Sequence, residues 1–163
     1  EKIKRFDLLI HAWKGINEKL EIIGDGLEKN NLLTIIKDNN LAEKITIRSE
    51  VNSQELGNIY KTAKGLIITS LREGGPRVAL EAAAFNLPVF GTNVGIMGEL
   101  FPQEILADAN NEDEIISLIR SFVPLAKNLD VSAIKERIFE SYTVESSAKK
   151  VGKIYDSVLS NSL

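Results

Sequence analysis

Apolar residues along this chain follow two periods in turn. From Phe6 to Ile16, Leu9, Ala12, Trp13 and Ile16 fall at helical spacing, which predicts an amphipathic helix with Asp7, His11 and Lys14 outside. Gly15 and Asn17 mark its end. Lys19–Ile23 predicts a strand, closed by the turn Gly24-Asp25-Gly26, whose glycines tolerate positive φ. Leu27–Asn39 reads as a second amphipathic helix facing inward through Leu32, Leu33 and Ile36. Lys44–Arg48 is the next strand, followed by the loop Ser49-Glu50-Val51-Asn52. Asn52 with Glu55 has the form of a capping box for a helix to about Lys61. The β-branched run Gly65–Thr69 predicts a buried parallel strand, and Pro76–Ala84 a helix with proline at its first position. Pro88–Thr92 is a further strand, and Leu106 lies in a last short one. Three helices follow: one capped by Asn111 with Glu114 and running to about Phe122, one over Val131–Glu140, and one from Thr143 to about Leu159.

Strands that alternate with helices through short connections predict an α/β fold. The expectation is a Rossmann-like, doubly wound parallel sheet with helices on both faces. Ligands of such sheets gather at the carboxyl ends of the strands, where three glycine-containing turns fall, at 24–26, 74–75 and 95–98. A chain of 163 residues, 44% hydrophobic and 26% charged, has material for one cored domain, so residues 1–163 are read as a single unit. The absence of cysteine excludes disulfides and thiolate metal sites. One histidine and a net charge of −3 argue against a His-based metal centre and a general nucleic-acid surface. His11 is expected on the surface and Trp13 in the core. No apolar run reaches the roughly 18 residues of a membrane span. The chain begins at Glu1 rather than Met, and is expected to be a fragment.

The candidate chemistry lies between the Gly65–Thr69 strand and the Pro76–Ala84 helix. Glu73-Gly74-Gly75 lets backbone amides approach a ligand, and the helix N-terminus adds unpaired N–H groups and partial positive charge: a seat for phosphate. Carboxylates bracket it, Glu73 on the loop and Glu81 about one and a half turns into the helix. Carboxylates repel phosphate, so their presence suits a ligand with hydroxyl groups on both sides of a diphosphate, as in a nucleotide sugar. The ordinary alternative is a solvated Glu73, and a Glu81 paired with Arg77 one turn back.

The pattern Ser70-x-x-Glu-Gly-x-Pro-x-x-x-x-Glu-Ala-x-Ala-x-x-x-Pro-Val89 resembles the signature of the retaining group 1 glycosyltransferases, family 4 of the carbohydrate-enzyme classification. The resemblance runs on through Gly91–Leu100 and back through Ile22–Gly26 and Asp7–Ala12. It implies the C-terminal, donor-binding half of a two-domain GT-B enzyme. By that likeness Glu81 holds the ribose hydroxyls, Glu73 contacts the transferred sugar, and the amides of Gly74 and Gly75 cradle the distal phosphate. Lys4 matches the lysine that binds the diphosphate; a disordered terminal lysine is the alternative. Arg5 stands where many relatives carry glycine, either supplementing Lys4 or facing water. Ser49, Glu50 and Val51 resemble the segment whose backbone reads the base, and Gly24 and Gly26 the turn beside the nucleotide. Gly75-Pro76 replaces the Phe-Gly or similar pair common in relatives, which widens the cradle.

Two departures accompany the resemblance. Relatives carry an arginine at the end of a strand before Lys4, and this chain starts after it. The absent strand would also be central, leaving a slot between the Lys19–Ile23 and Gly65–Thr69 strands. The implied reaction moves a hexosyl group from a nucleoside diphosphate sugar to an acceptor hydroxyl with retention, without metal or other cofactor, the donor being a substrate. The acceptor, a glycan or lipid-linked glycan of surface polysaccharide or glycolipid synthesis, is expected to bind the N-terminal half. A cytoplasmic enzyme follows, or one held at the inner membrane face. Lys149, Lys150 and Lys153 face the other domain or a lipid surface, or form a solvated helix face. The alternatives are a GT-B nucleotide-sugar epimerase and a non-catalytic scaffold half-domain. A glycosidase would need the two carboxylates facing each other across an open cleft.

Overall fold

The structure is a computed structural model and describes residues 1–160. Among the described residues five strands and eight α-helices form, and all but the short α5 follow the alternation the sequence predicts. They are α1 (Phe6–Ala12), β1 (Leu20–Ile23), α2 (Lys29–Asp38), β2 (Ile45–Arg48), α3 (Ser53–Thr62), β3 (Leu66–Ile68), α4 (Arg77–Ala84), β4 (Val89–Thr92), α5 (Met97–Leu100), β5 (Leu106–Ala107), α6 (Glu112–Ala126), α7 (Ser132–Ser141) and α8 (Val144–Ser160). All the strand pairs are parallel. Among the described residues no helix is long and apolar enough to cross a membrane.

The sheet is in two pieces. β1 pairs with β2, β3 with β4 and β4 with β5, while β1 and β3 do not pair. The break falls where the expected slot lies. From it the chain winds outward in both directions, so it is also the topological switch point, the place where α/β sheets bind ligands. A 3-10 turn at Lys2–Lys4 lies at the carboxyl ends of the strands flanking the break. The Leu71 amide donates to the Ile3 carbonyl at 2.8 Å, and a Cβ on Gly26 would stand 3.8 Å from the Glu1 nitrogen.

Helix packing joins the pieces. On one face α1 packs against both α2 and α6, and α6 lies on β4 and β5. Phe122 of α6 meets Phe90 of β4 edge-on at 5.1 Å and Trp13, just past α1, at 6.3 Å. All three are nearly excluded from solvent. On the other face Ala79, Ala82 and Ala83 of α4 are fully buried. Their spacing puts three methyl groups on one stripe, so the helix sits close to β3 and β4.

Several boundaries depart from expectation. α1 ends at Ala12, but Trp13 and Ile16 remain buried beyond it and Gly15 takes φ 91°. α2 starts at Lys29 with Leu27 fully exposed, and Leu33 points outward at 46% exposure. Leu32 and Ile36 are buried with Ile35 packed beside them, so the inward face is filled without Leu33. Pro76 is the N-cap of α4 rather than its first residue. α6 continues to Ala126 through Pro124, and the short α5, with Met97 and Leu100 buried, had no sequence signal. Asn52 and Asn111 accept from the amides of Glu55 and Glu114 as the capping pattern predicts. Thr143 and Ser146 cap α8, on which Lys149, Lys150 and Lys153 are solvent-exposed.

Phe122 touches both halves of the core, so Phe122→Ala is expected to lower unfolding free energy by about 3–5 kcal/mol in a denaturant titration.

Candidate functional site

β3 is followed by two buried hydroxyl residues, Thr69 and Ser70, and the chain then opens into the loop before α4. Nothing lies within 4 Å of where a Cβ on Gly74 would stand, and the nearest atom to one on Gly75 is Ile96 Cδ1 at 3.9 Å. The start of α4 is therefore open to a ligand, as a phosphate seat requires. The 95–98 turn backs it. Gly95, at φ 53°, lies so close that a Cβ there would stand 2.3 Å from the Gly74 carbonyl oxygen.

Lys4 is an ordered residue at this opening. Its Nζ donates to Glu73 Oε1 at 2.5 Å, and Ser70 Oγ donates to the same oxygen at 2.8 Å. Partial burial pushes the Glu73 carboxyl up, but the Lys4 and Ser70 hydrogen bonds and the Lys4 charge outweigh it and hold the group below its ordinary value.

Glu81 is held differently. The Tyr60 hydroxyl of α3 donates to Glu81 Oε2 at 3.3 Å, and Arg77 Nη2 stands 3.7 Å from Oε1. The Arg77 pairing is present, but its side chain is 88% exposed, so it contributes little. Tyr60 is buried against the Phe85 ring, 5.7 Å centroid to centroid. Burial, then the Glu81 charge and hydrogen bond, push its hydroxyl far above the usual tyrosine range, so it stays a neutral donor. Sequence reasoning missed Tyr60, since no spacing rule relates positions on two different helices.

The third cluster lies at the carboxyl ends of β1 and β2. Asp25 accepts from Lys29 Nζ at 2.8 Å, from Ser49 Oγ at 3.3 Å and from the Glu50 amide at 3.2 Å. The Lys29 hydrogen bond and the Glu50 amide lower its carboxyl. The 24–26 turn and the Ser49–Val51 loop are thus tied together; Val51 is half-buried. Gly24 takes φ 135°. A cavity of about 300 Å³ runs beside this turn, lined by Lys4, Gly24 and Gly26 over Ile22, Ile23 and Leu32. A hollow of about 490 Å³ beside Asn86 and Phe139 shares no residue with the site.

Arg5 neither supplements Lys4 nor faces water. Its Nη1 donates to the Ala109 carbonyl at 2.7 Å and its Nη2 to Glu112 at 2.5 Å. Its backbone is left-handed, φ 53° and ψ 40°, a conformation that glycine adopts without strain. No group of three or more His, Cys, Asp or Glu placed to hold a metal occurs among the described residues.

A family profile described as Glycosyl transferases group 1 matches residues 1–137. The chain belongs to this family. An uncharacterized glycosyltransferase of Methanocaldococcus jannaschii is 27% identical over 159 residues, 94% of this chain and 44% of its own length. The amylovoran biosynthesis glycosyltransferase AmsD of Erwinia amylovora is 36% identical over 110 residues, 64% of this chain and 29% of its own length. Among solved structures, sucrose-phosphate synthase from Thermosynechococcus elongatus superposes with a TM-score of 0.83 at 21% identity, over 99% of this chain and 44% of that one. The pneumococcal O-GlcNAc transferase GtfA, solved with UDP and GlcNAc, gives 0.74 at 23% identity, over 98% and 34%. These likenesses show the GT-B fold. The group 1 chain spans less than half the length of these relatives.

The Lys4–Glu73 pair of this glycosyltransferase domain has a pH signature. Because the Glu73 carboxyl is lowered on folding, the pair's stabilisation is complete above the unfolded glutamate range, near about 4.3. It is lost as pH falls through the lower folded midpoint. Glu73→Gln is expected to cost about 1 kcal/mol or less at pH 7, and to cost less again at pH 3, read from denaturant midpoints at the two pH values.

Proposed function

We propose that this domain binds the donor of a retaining glycosyltransferase of family 4, moving a hexosyl group from a nucleoside diphosphate sugar to an acceptor hydroxyl. The observation that carries the reading is the Lys4 ammonium resting on Glu73 at the open start of α4. A cation, free helix amides and a carboxylate meet there within reach of one diphosphate and the sugar attached to it. Glu81 takes the ribose hydroxyls, with Gly24, Gly26, Ser49 and Val51 around the base. That the GtfA structure holds UDP and GlcNAc agrees with this class of donor.

In the proposed reaction the bond between the anomeric carbon and the diphosphate oxygen breaks. The acceptor oxygen bonds to the same face of that carbon, and its proton passes to the departing phosphate. Lys4 and the amides of Gly74 and Gly75 stabilise the charge gathering on the leaving diphosphate, the chief electrostatic demand of the step. Glu73 fixes the sugar by its hydroxyls and forms no covalent intermediate. Acceptor contacts belong to the rest of the enzyme, and the domain by itself binds donor weakly without transferring sugar. The donor is a substrate, and the step uses no metal or other cofactor.

Surface polysaccharide or glycolipid synthesis at the cytoplasmic membrane face is the proposed setting. The relatives AmsD, for amylovoran, and WclY of Escherichia coli, for O-antigen, carry names of that kind. The named relatives are transferases, which favours transfer over epimerisation.

Titration of the intact protein with UDP-, GDP- and ADP-hexoses tests the donor site. Glu81→Ala and Glu73→Ala each remove a carboxylate that accepts substrate hydroxyls, so about 10–100-fold weaker binding is expected, with the larger loss at Glu81. Unchanged affinity in both variants, or no binding of any of the three donors, would refute the assignment.

A further inference from the structure

Three serine and threonine residues, Thr69, Ser70 and Thr92, are each at least 97% excluded from solvent. They lie together at the carboxyl ends of β3 and β4, and each hydroxyl is spent on one structure. Thr69 Oγ1 donates to the Lys4 carbonyl at 2.7 Å. Ser70 Oγ donates to Glu73 Oε1 at 2.8 Å, and Thr92 Oγ1 donates to the Ser70 carbonyl at 2.7 Å.

We infer that these three hydroxyls are positioning residues that hold the Lys4 ammonium and the Glu73 carboxylate in their working geometry before any ligand arrives. Each supplies a bond the sheet does not. The β3–β4 ladder ends at the Ile68–Gly91 pair, so the Ser70 carbonyl lies past its last partner. Thr92 reaches across from β4 and takes over, fixing the backbone from which the Ser70 side chain projects. Lys4 lies across a break in the sheet and belongs to no strand. Thr69, with the neighbouring Leu71 amide on Ile3, moors that segment to the end of β3.

Both donors to Glu73 converge on Oε1, while Oε2 has no hydrogen-bond partner within the described residues. One carboxylate oxygen is thus anchored and the other presented. A mobile ion pair of this exposure would sample many arrangements. Buried hydroxyls with short partners restrict it to one, which is the condition for preorganised electrostatics. Only the purpose of the pair rests on the donor-site reading; the positioning itself is measurable in the protein without donor.

The test is the titration of the Glu73 carboxyl, followed by carbon-13 NMR in the intact protein and assigned with Glu73→Gln, alongside melting temperature. Thr69 and Thr92 do not touch Glu73, so their variants are diagnostic. Thr69→Val and Thr92→Val are each expected to raise the Glu73 midpoint by about half a unit to one unit, as the bonds from Lys4 and Ser70 loosen. Thr69→Ser and Thr92→Ser should restore it. Ile68→Val, at the same strand end, should lower the melting temperature and leave the midpoint unchanged. Thr69→Ala and Thr92→Ala stand in for a valine variant that does not fold. The proposal is overturned if the threonine variants keep the parent midpoint whatever their melting temperature, or if Ile68→Val moves it equally. Failure of the parent protein to bind UDP-, GDP- and ADP-hexose alike would instead refute the donor site and leave the titration result in place.

Discussion

An ammonium and a carboxylate that lie 69 residues apart in the chain share a hydrogen bond at the point where the sheet changes its winding direction. By itself such a half-exposed pair adds little stability. Its importance is geometric: it holds a cation and a carboxylate together beside the loop that leads into α4.

The two carboxylates, Glu73 and Glu81, each accept a hydrogen bond from a residue distant in the chain. Glu73 is turned by Lys4 and Ser70, and Glu81 by Tyr60 of α3. The Tyr60 hydroxyl donates without adding charge. It is buried against Phe85 and fixes Glu81 more firmly than the exposed Arg77 does. The same economy appears at Asp25, where one carboxylate joins two turns at the carboxyl ends of β1 and β2.

The broken sheet explains where strength must reside. β1–β2 and β3–β4–β5 have no ladder between them, so side-chain packing carries the connection. Trp13, Phe90 and Phe122 provide it on one face, where α1 lies against α2 and α6. Near the amino ends of β1 and β3, Glu18 and Lys64 add an ion pair at 2.5 Å. At the opposite end the segment Glu1–Arg5 is bonded to the β3 side, through the Leu71 amide on the Ile3 carbonyl and Thr69 Oγ1 on the Lys4 carbonyl. The Lys4–Glu73 pair therefore lies where no sheet ladder joins the two pieces.

What the sequence determined by itself is whatever depends on neighbours along the chain. The alternation of periods identified every strand within a residue or two, and the Asn52 and Asn111 caps follow from a three-residue spacing. The open glycines at the start of α4 were legible for the same reason, since glycine before a proline-started helix is a local statement. Local patterns failed where a long-range contact set the outcome. Leu33 is exposed because Leu32, Ile35 and Ile36 fill the contact, and the brief α5 forms because Met97 and Leu100 are drawn into the core. Arg5 turned away to Ala109 and Glu112, which no spacing announces. Only the tertiary structure decided that Lys4 rests on Glu73, that Tyr60 steadies Glu81, and that three buried hydroxyls gather beneath the pair. The physical reason is that a hydrogen bond fixes atoms within about 3 Å, whereas a sequence fixes only order; folding alone converts one into the other.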